Sequence, residues 1–343
     1  MIFLKQIIFQ CLYSIFFYIN KNKRKNITVI YSNASKIYSN LACIENELKI
    51  KNIKYKISFN GKKLKDLFII SKASIIFIDQ SNYFLSYIKI NSSVKVIQCW
   101  HGGGLYKAIG FDNGMAHKIS RNYRNISFLN ISDGKLKQNY SSMFNISAEN
   151  ITCFGLPRAD LLFKKNILDE KKIFYELYPA LKNKKICLYA PTFRERGKTR
   201  EQVNLLNIES INNHLKDYVI IYRKHPTLDE KCANIVDVSH LNLDFVLAIT
   251  DILISDYSSI IFDFAYFKKP IILYVPDLEN YKKTRKLYLH PEELVGKNNV
   301  CYSEKEIISF IENASYEKDL WSDYMSDCKG NSSKQLIDFA LTL

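Results

Sequence analysis

The run Asp251-Ile-Leu-Ile-Ser-Asp-Tyr-Ser-Ser-Ile-Ile-Phe-Asp-Phe-Ala-Tyr-Phe-Lys-Lys-Pro-Ile-Ile-Leu-Tyr274 decides the fold. Residues 252–255 and 271–274 are continuous apolar runs, as expected of strands buried on both faces, and the chain between them holds a hydroxyl-rich turn and one helix. Strand, turn, helix, strand is the repeating unit of a parallel α/β sheet. The first N–H groups of the helix have no internal partner and its dipole favours an anion, so Ser258 and Ser259 stand where a phosphate docks. The turn lacks the Gly-rich fingerprints of mononucleotide and dinucleotide loops.

The same pattern extends outward in both directions. Toward the C-terminal half, residues 186–189, 218–222 and 234–238 read as strands alongside 252–255 and 271–274. Toward the N-terminus, residues 27–31, 53–57, 74–79, 94–98, 126–131 and 150–154 form an earlier series, most of them separated by enough chain for a helix. Two Rossmann-like domains in tandem follow, one over 26–165 and one over 166–343, preceded by a separate segment, 1–25. Ligands of such sheets bind beyond the carboxyl ends of the strands, so the loops after residues 98, 189, 222 and 255 are expected to converge on a central cleft between the domains. Residues 195–205 read as a mobile charged loop.

Composition bounds the function. The chain has 343 residues, 47 % of them apolar, and a formal net charge of +15, which points to an acidic partner: nucleic acid, an anionic membrane or a phosphorylated substrate. Recognised RNA-binding aromatic motifs are missing and the basic residues are spread along the chain, which argues against nucleic acid. Eight cysteines stand singly, with no Cys-x-x-Cys pair, so neither a zinc site nor a disulfide framework is indicated, and a reducing compartment fits. Residues 2–19 are mostly apolar and precede Lys21-Asn-Lys-Arg-Lys25. The segment reads as an interfacial helix with a basic anchor, as a first helix packed on the core, or as a marginal span; it lacks the marks of a cleaved signal peptide.

The polar motifs lie in the strand-end loops. His101 sits in Gln98-Cys-Trp-His-Gly-Gly-Gly-Leu-Tyr-Lys-Ala-Ile-Gly-Phe-Asp112, directly after a strand, where an imidazole serves as a general base near neutral pH and glycines admit a ligand to the backbone. In Arg223-Lys-His-Pro226 the cations neutralise phosphate and His225 donates to a departing phosphate oxygen, unless the loop is simply solvated. Thr192 and Arg194, in Ala190-Pro-Thr-Phe-Arg194, offer phosphate or base contacts. Asp263 either takes ribose hydroxyls or caps or pairs with a lysine such as Lys268. No Asp-x-Asp metal pair is present, so phosphate binding without a metal is expected.

Taken together, these loops resemble the CDP-glycerol glycerophosphotransferase family of teichoic-acid and capsule synthesis, over residues 96–290. The carrying residues are Trp100-His-Gly-Gly-Gly with Lys107 and Gly110-Phe-Asp112, Gly155-Leu-Pro-Arg-Ala-Asp160, Tyr189-Ala-Pro-Thr-Phe-Arg194, Arg223-Lys-His-Pro226, Ser255-Asp-Tyr-Ser-Ser-Ile-Ile-Phe-Asp263, Lys269-Pro270 and Asp277-Leu-Glu-Asn-Tyr281. The resemblance implies a GT-B-like fold and transfer of a polyol phosphate from CDP-glycerol or CDP-ribitol to a hydroxyl of a lipid-linked or polysaccharide acceptor, with release of CMP and no cofactor. It implies His101 as general base, His225 beside the donor pyrophosphate, and Ser258, Ser259 and Arg223 as donor-phosphate contacts. Gly102, Gly103, Lys107 and Asp112 fall on the acceptor side. There this chain has one residue more before the lysine than the His-Gly-Thr-Pro-Leu-Lys of many members. A GT-B glycosyltransferase using a nucleotide sugar is the alternative. An anionic membrane partner and a peripheral position on the cytoplasmic face fit the basic surface and the N-terminal segment.

Overall fold

The computed structural model describes residues 2–20, 27–34, 36–59, 64–81, 84–114, 121, 123–196, 199–201, 206–225, 235–313 and 315–343. The chain divides into two compact units: Met1–Gly102, Ile109–Asp160 and Ser326–Leu343 form the first, and Gly103–Ala108 with Leu161–Met325 the second.

In the first unit six strands, β1 (Thr28–Ser32), β2 (Tyr55–Phe59), β3 (Ile75–Ile78), β4 (Lys95–Gln98), β5 (Phe128–Asn130) and β6 (Ile151–Thr152), form one sheet in the order β2-β1-β3-β4-β5-β6. Every pairing is parallel. Period-two alternation sends Val29, Tyr31, Ile76, Ile78 and Val96 to one face, where they pack with Tyr13 of α1 (Ile2–Ile19) and with Leu67 and Ile70 of α3 (Leu64–Ile70). Ile30, Ile75, Phe77 and Ile97 go to the other, against Leu41, Ile44 and Leu48 of α2 (Ser39–Ile50) and Leu336, Ile337 and Ala340 of the C-terminal helix Ser332–Leu341. Both faces are covered, which is why these strands read as unbroken apolar runs. A further helix, α4 (Lys137–Phe144), follows β5.

The second unit repeats the plan with β7 (Lys185–Tyr189), β10 (Tyr218–Tyr222), β11 (Ile252–Ser255), β12 (Ile271–Tyr274) and β13 (Val300–Cys301) in the order β10-β7-β11-β12-β13, while β8 (Arg194–Arg196) and β9 (Thr199–Glu201) form a separate antiparallel hairpin. Its helices are α5 (Ile167–Leu177), α6 (Ile208–Asn212), α7 (Leu243–Ile249), α8 (Ile260–Phe264), α9 (Leu278–Thr284), α10 (Pro291–Val295), α11 (Glu304–Asn313) and α12 (Leu320–Tyr324). Counted along each main sheet, the first unit runs 2-1-3-4-5-6 and the second 2-1-3-4-5, so the strand order reverses between β1 and β3 and again between β7 and β11. These reversals are where open α/β sheets hold ligands.

Four expectations need amendment. The second unit does not keep residues 166–343: residues 326–343 return to the first. The buried carboxylate of Asp160 accepts the N–H groups of Ser332 and Ser333 at 2.8 Å each, capping the C-terminal helix from 172 residues away, and Asp133 and Asp327 exchange further bonds with Ser326 and Gly134. Of the expected strand 234–238, the described residues 235–238 form only an isolated bridge from Tyr222 to Asp237. The described part of 195–205 belongs to the β8–β9 hairpin. The N-terminal segment is no separate module, because α1 puts Tyr13 in the core with Phe9, Leu12, Phe16 and Phe17 against it, while Ile7, Ile8, Ile15, Tyr18 and Ile19 are exposed on its other side. Lys21-Asn-Lys-Arg-Lys25 lies outside the described residues.

Candidate functional site

In the first unit the loop after β4 carries an exposed His101 on a tightly fixed turn. Trp100 adopts φ +45, a left-handed conformation that costs a non-glycine residue roughly 1–2 kcal/mol, and the surroundings supply the restraint. Asn40, fully buried on α2, donates to the Trp100 carbonyl and accepts the Arg158 N–H at 2.9 Å. Gln98 accepts the Trp100 N–H at 2.9 Å, Tyr140 donates to the Gly102 carbonyl at 3.2 Å, and Arg158 donates to the His101 carbonyl. The indole of Trp100 lies against Phe144 edge to face, with centroids 4.9 Å apart.

One contact fixes the chemistry of the ring. His101 Nδ1 is 3.1 Å from the Asp79 carbonyl oxygen. A carbonyl only accepts, so Nδ1 carries the proton and Nε2 of the neutral imidazole holds the lone pair a base needs. The Asp79 side chain is a second feature of this strand end. Burial pushes its carboxyl up to about 7, against a partial downward pull from Arg158. Asp112, from the acceptor-side motif, accepts from Ser142 at 2.5 Å.

The acceptor-side motif itself is split between the units. Gly102 and Asp112 belong to the first, but Gly103 and Lys107 to the second. There Ala108 N–H bonds the Lys286 carbonyl and Tyr288 N–H the Tyr106 carbonyl, both at 2.9 Å, and Lys107 bridges Leu287 in antiparallel fashion. Gly104 has φ +63, and a Cβ there would stand 2.3 Å from the Phe262 ring of α8. Only glycine lets the backbone rest on that ring, which accounts for the third glycine of the motif.

In the second unit, Ser258 and Ser259 follow β11 as expected, with Ser258 Oγ 3.4 Å from the Ile260 N–H. The helix they open, α8, has only five residues, so its dipole is small and the hydroxyls and backbone N–H groups carry most of the attraction for an anion. His225, after β10, meets the Phe193 ring edge to face at 4.8 Å. Arg223 commits two of its five N–H donors: its Nη1 donates to the carbonyls of Val238 and Leu241 at 3.1 and 2.9 Å, and burial lowers its pKa, with Asp237 and Asp244 opposing. Asp263 is buried at 4 % exposure, and Lys268 lies 3.7 Å from Asp319. Lys269 works at the amino ends of the strands, donating to the Thr250 carbonyl, and burial lowers its pKa to about 8.

Arg194 is placed differently from a nucleotide contact. Its Nε and Nη2 take both oxygens of Asp277 at 2.7 and 3.2 Å, and its Nη1 takes Asp256 Oδ2 and the Thr192 carbonyl, both at 2.8 Å. Sequence reading had no signal for this triad, or for Asn40 and Asp79, beyond the oddity of polar residues set in apolar runs.

Two parallel-sheet units with this strand order, each with its polar motifs beyond the strand ends, define a GT-B-like fold, and solved structures agree. The wall teichoic acid polymerase TagF superposes with a TM-score of 0.77 at 22 % identity over 98 % of this chain and 95 % of that one. The chain belongs to the family described as CDP-glycerol:poly(glycerophosphate) glycerophosphotransferase, whose model matches residues 10–329. It is 30 % identical to the teichoic acid ribitol-phosphate polymerase TarL of Staphylococcus aureus, over 91 % of this chain and 61 % of that protein. It is likewise 30 % identical to the teichoic acid glycerol-phosphate primase of Bacillus subtilis, over 80 % of this chain and 75 % of that protein. Against the ribitol-phosphate polymerases it spans about half their length, 46 %, 52 % and 61 %.

Proposed function

We propose that the protein transfers a polyol phosphate from CDP-glycerol or CDP-ribitol to a hydroxyl of a lipid-linked or polysaccharide acceptor, releasing CMP, in the synthesis of a teichoic-acid-like or capsular polymer. Family membership supports the donor class, and the single observation that carries the chemistry is the 3.1 Å contact of His101 Nδ1 with the Asp79 carbonyl oxygen, from which its tautomer follows. With Nδ1 donating to Asp79, Nε2 accepts the proton of the acceptor hydroxyl while its oxygen attacks the β-phosphorus of the donor. The bond from that phosphorus to the bridging oxygen breaks, and the electron pair leaves with CMP. Charge gathering on the departing phosphate is met by the hydroxyls of Ser258 and Ser259 and by His225, without a metal or cofactor.

Attachment to an anionic membrane surface at the cytoplasmic face is the second half of the reading. No described helix is long and apolar enough to cross a membrane. The support comes from α1, which buries one apolar face and exposes Ile7, Ile8, Ile15, Tyr18 and Ile19 on the other, as an interfacial helix does.

The test is a donor panel: CDP-glycerol, CDP-ribitol and nucleotide sugars, each with and without acceptor. Acceptor-dependent CMP release that is lost in His101→Ala is the expected result; turnover of a nucleotide sugar instead would assign the protein to the glycosyltransferases. Flotation with anionic vesicles tests the membrane half, with Ile8→Glu/Ile15→Glu expected to remain unbound.

A further inference from the structure

The strand-order reversal of the second unit lies between β7 and β11, and a partly buried ion cluster spans it. Thr192 and Arg194 leave β7, Asp256 and Tyr257 leave β11, and Asp277 and Tyr281 follow β12. Asp256, 1 % exposed, binds across the reversal with both oxygens: Oδ1 accepts the Thr192 N–H and Oδ2 accepts from Arg194, each at 2.8 Å. The guanidinium lies beside the edges of a pair of stacked rings, 5.1 Å from the Tyr257 centroid and 5.2 Å from that of Tyr281, and Tyr257 donates to Asp277 at 3.1 Å.

The four bonds of Arg194 use all but one of its N–H donors, so it has little left for a ligand. Burial alone would depress its pKa, yet Asp256 and Asp277 hold it above the ordinary value, so it stays charged. Two hydroxyls of this region, Thr192 Oγ1 and Tyr106 Oη, are buried with no hydrogen-bond partner, although the Tyr106 ring lies 6.3 Å from Tyr257.

Resting on the reading of this unit as the donor side, we propose that Arg194, Asp256 and Asp277 form a positioning bracket that sets the turn of Ser258 and Ser259 for the donor diphosphate. Asp256 is two residues from Ser258, so whatever fixes its carboxylate fixes the turn. Breaking the bracket has a second effect, because it leaves a buried carboxylate without its cation next to the place where a diphosphate binds. A lysine at 194 keeps the charge but loses the planar fork that spans three acceptors.

The experiment compares the full chain, Arg194→Lys and Asp277→Asn in steady-state CMP release and in protection by CDP against thermal unfolding without acceptor. Arg194→Lys is expected to raise KM for the CDP-alditol about tenfold or more while kcat stays within about threefold, the signature of a lost ground-state fit and not of lost proton transfer. Asp277→Asn raises it less, and CDP protection falls in the same order. A KM within about twofold of wild type, or a kcat that falls at constant KM, overturns the bracket. So does a loss of CDP protection no larger than the drop in melting temperature of the free protein. Should Arg194→Lys not fold, Asp277→Asn is judged by the same outcomes. Wild-type protein that releases no CMP contradicts the transferase reading instead, and the bracket is then judged on CDP protection alone.

Discussion

The two strand ends that carry the polar motifs are held in opposite ways. Around His101 the turn is fixed mainly by hydrogen bonds to main-chain groups, from Asn40, Gln98, Tyr140 and Arg158, and the ring itself binds a neutral carbonyl. Around Ser258 and Ser259 the scaffold is a cluster of one cation and two carboxylates, the buried Asp256 and the half-buried Asp277. A carboxylate on His101 Nδ1 would hold the ring as a cation once a proton arrived, whereas a carbonyl fixes the tautomer without adding charge. A turn that receives a diphosphate sees its field change at every turnover, and paired charges in a bidentate geometry resist that change. Proton transfer and anion holding thus draw on different supports within one repeated sheet plan.

Removing each support in turn breaks this comparison in a graded way. The largest effect is expected for His101→Ala, about 10²–10⁴-fold in CMP release, since a positioned general base is worth that much; initial rates measure it, and a loss below tenfold would place the base elsewhere. The double variant Ser258→Ala/Ser259→Ala is expected to raise KM for the CDP-alditol about 10–100-fold, as hydrogen bonds to a charged group are worth about 1.5–3 kcal/mol; an unchanged KM would remove these serines from the donor site. Asn40→Ala strands two buried main-chain groups and should cost about 2–4 kcal/mol in urea unfolding, with activity falling because the His101 turn loosens.

The remaining prediction concerns Asp79 and has a definite sign. Its carboxyl is raised from 3.8 to about 7 in the folded protein, so between those values the native state binds more protons than the unfolded state, and stability falls as pH rises through that window. Asp79→Asn should remove this slope and leave the variant more stable than wild type at pH 8 relative to pH 4. Melting curves across that range decide it; a wild-type stability that rises from pH 4 to 8 through this residue would refute the burial argument.

How much of this was legible in the sequence depended on the range of the interaction. β1, β3, β7, β11 and β12 were readable because a strand buried on both faces needs continuous β-branched residues. β13 was not, being two residues long, and neither was the return of residues 326–343, which depends on Asp160 reaching helix N–H groups far along the chain. His101, His225 and the serine pair were visible as polar residues at strand ends. Arg194 was visible as well, but its part was not: Asp277 lies 83 residues away, and nothing local distinguishes a guanidinium that meets phosphate from one that meets two carboxylates. Asn40 offered a faint signal, a polar residue among the apolar positions of α2, where burial demands partners.

The division of labour between the two strand ends is tested most directly by titrating His101→Ala with CDP-glycerol and CDP-ribitol in the absence of acceptor, alongside its rate of CMP release. The account predicts donor binding within about twofold of wild type together with a loss of release of at least about a hundredfold. Donor affinity that falls in step with the rate would contradict it, because His101 would then be holding the donor and the proton transfer would belong to another group.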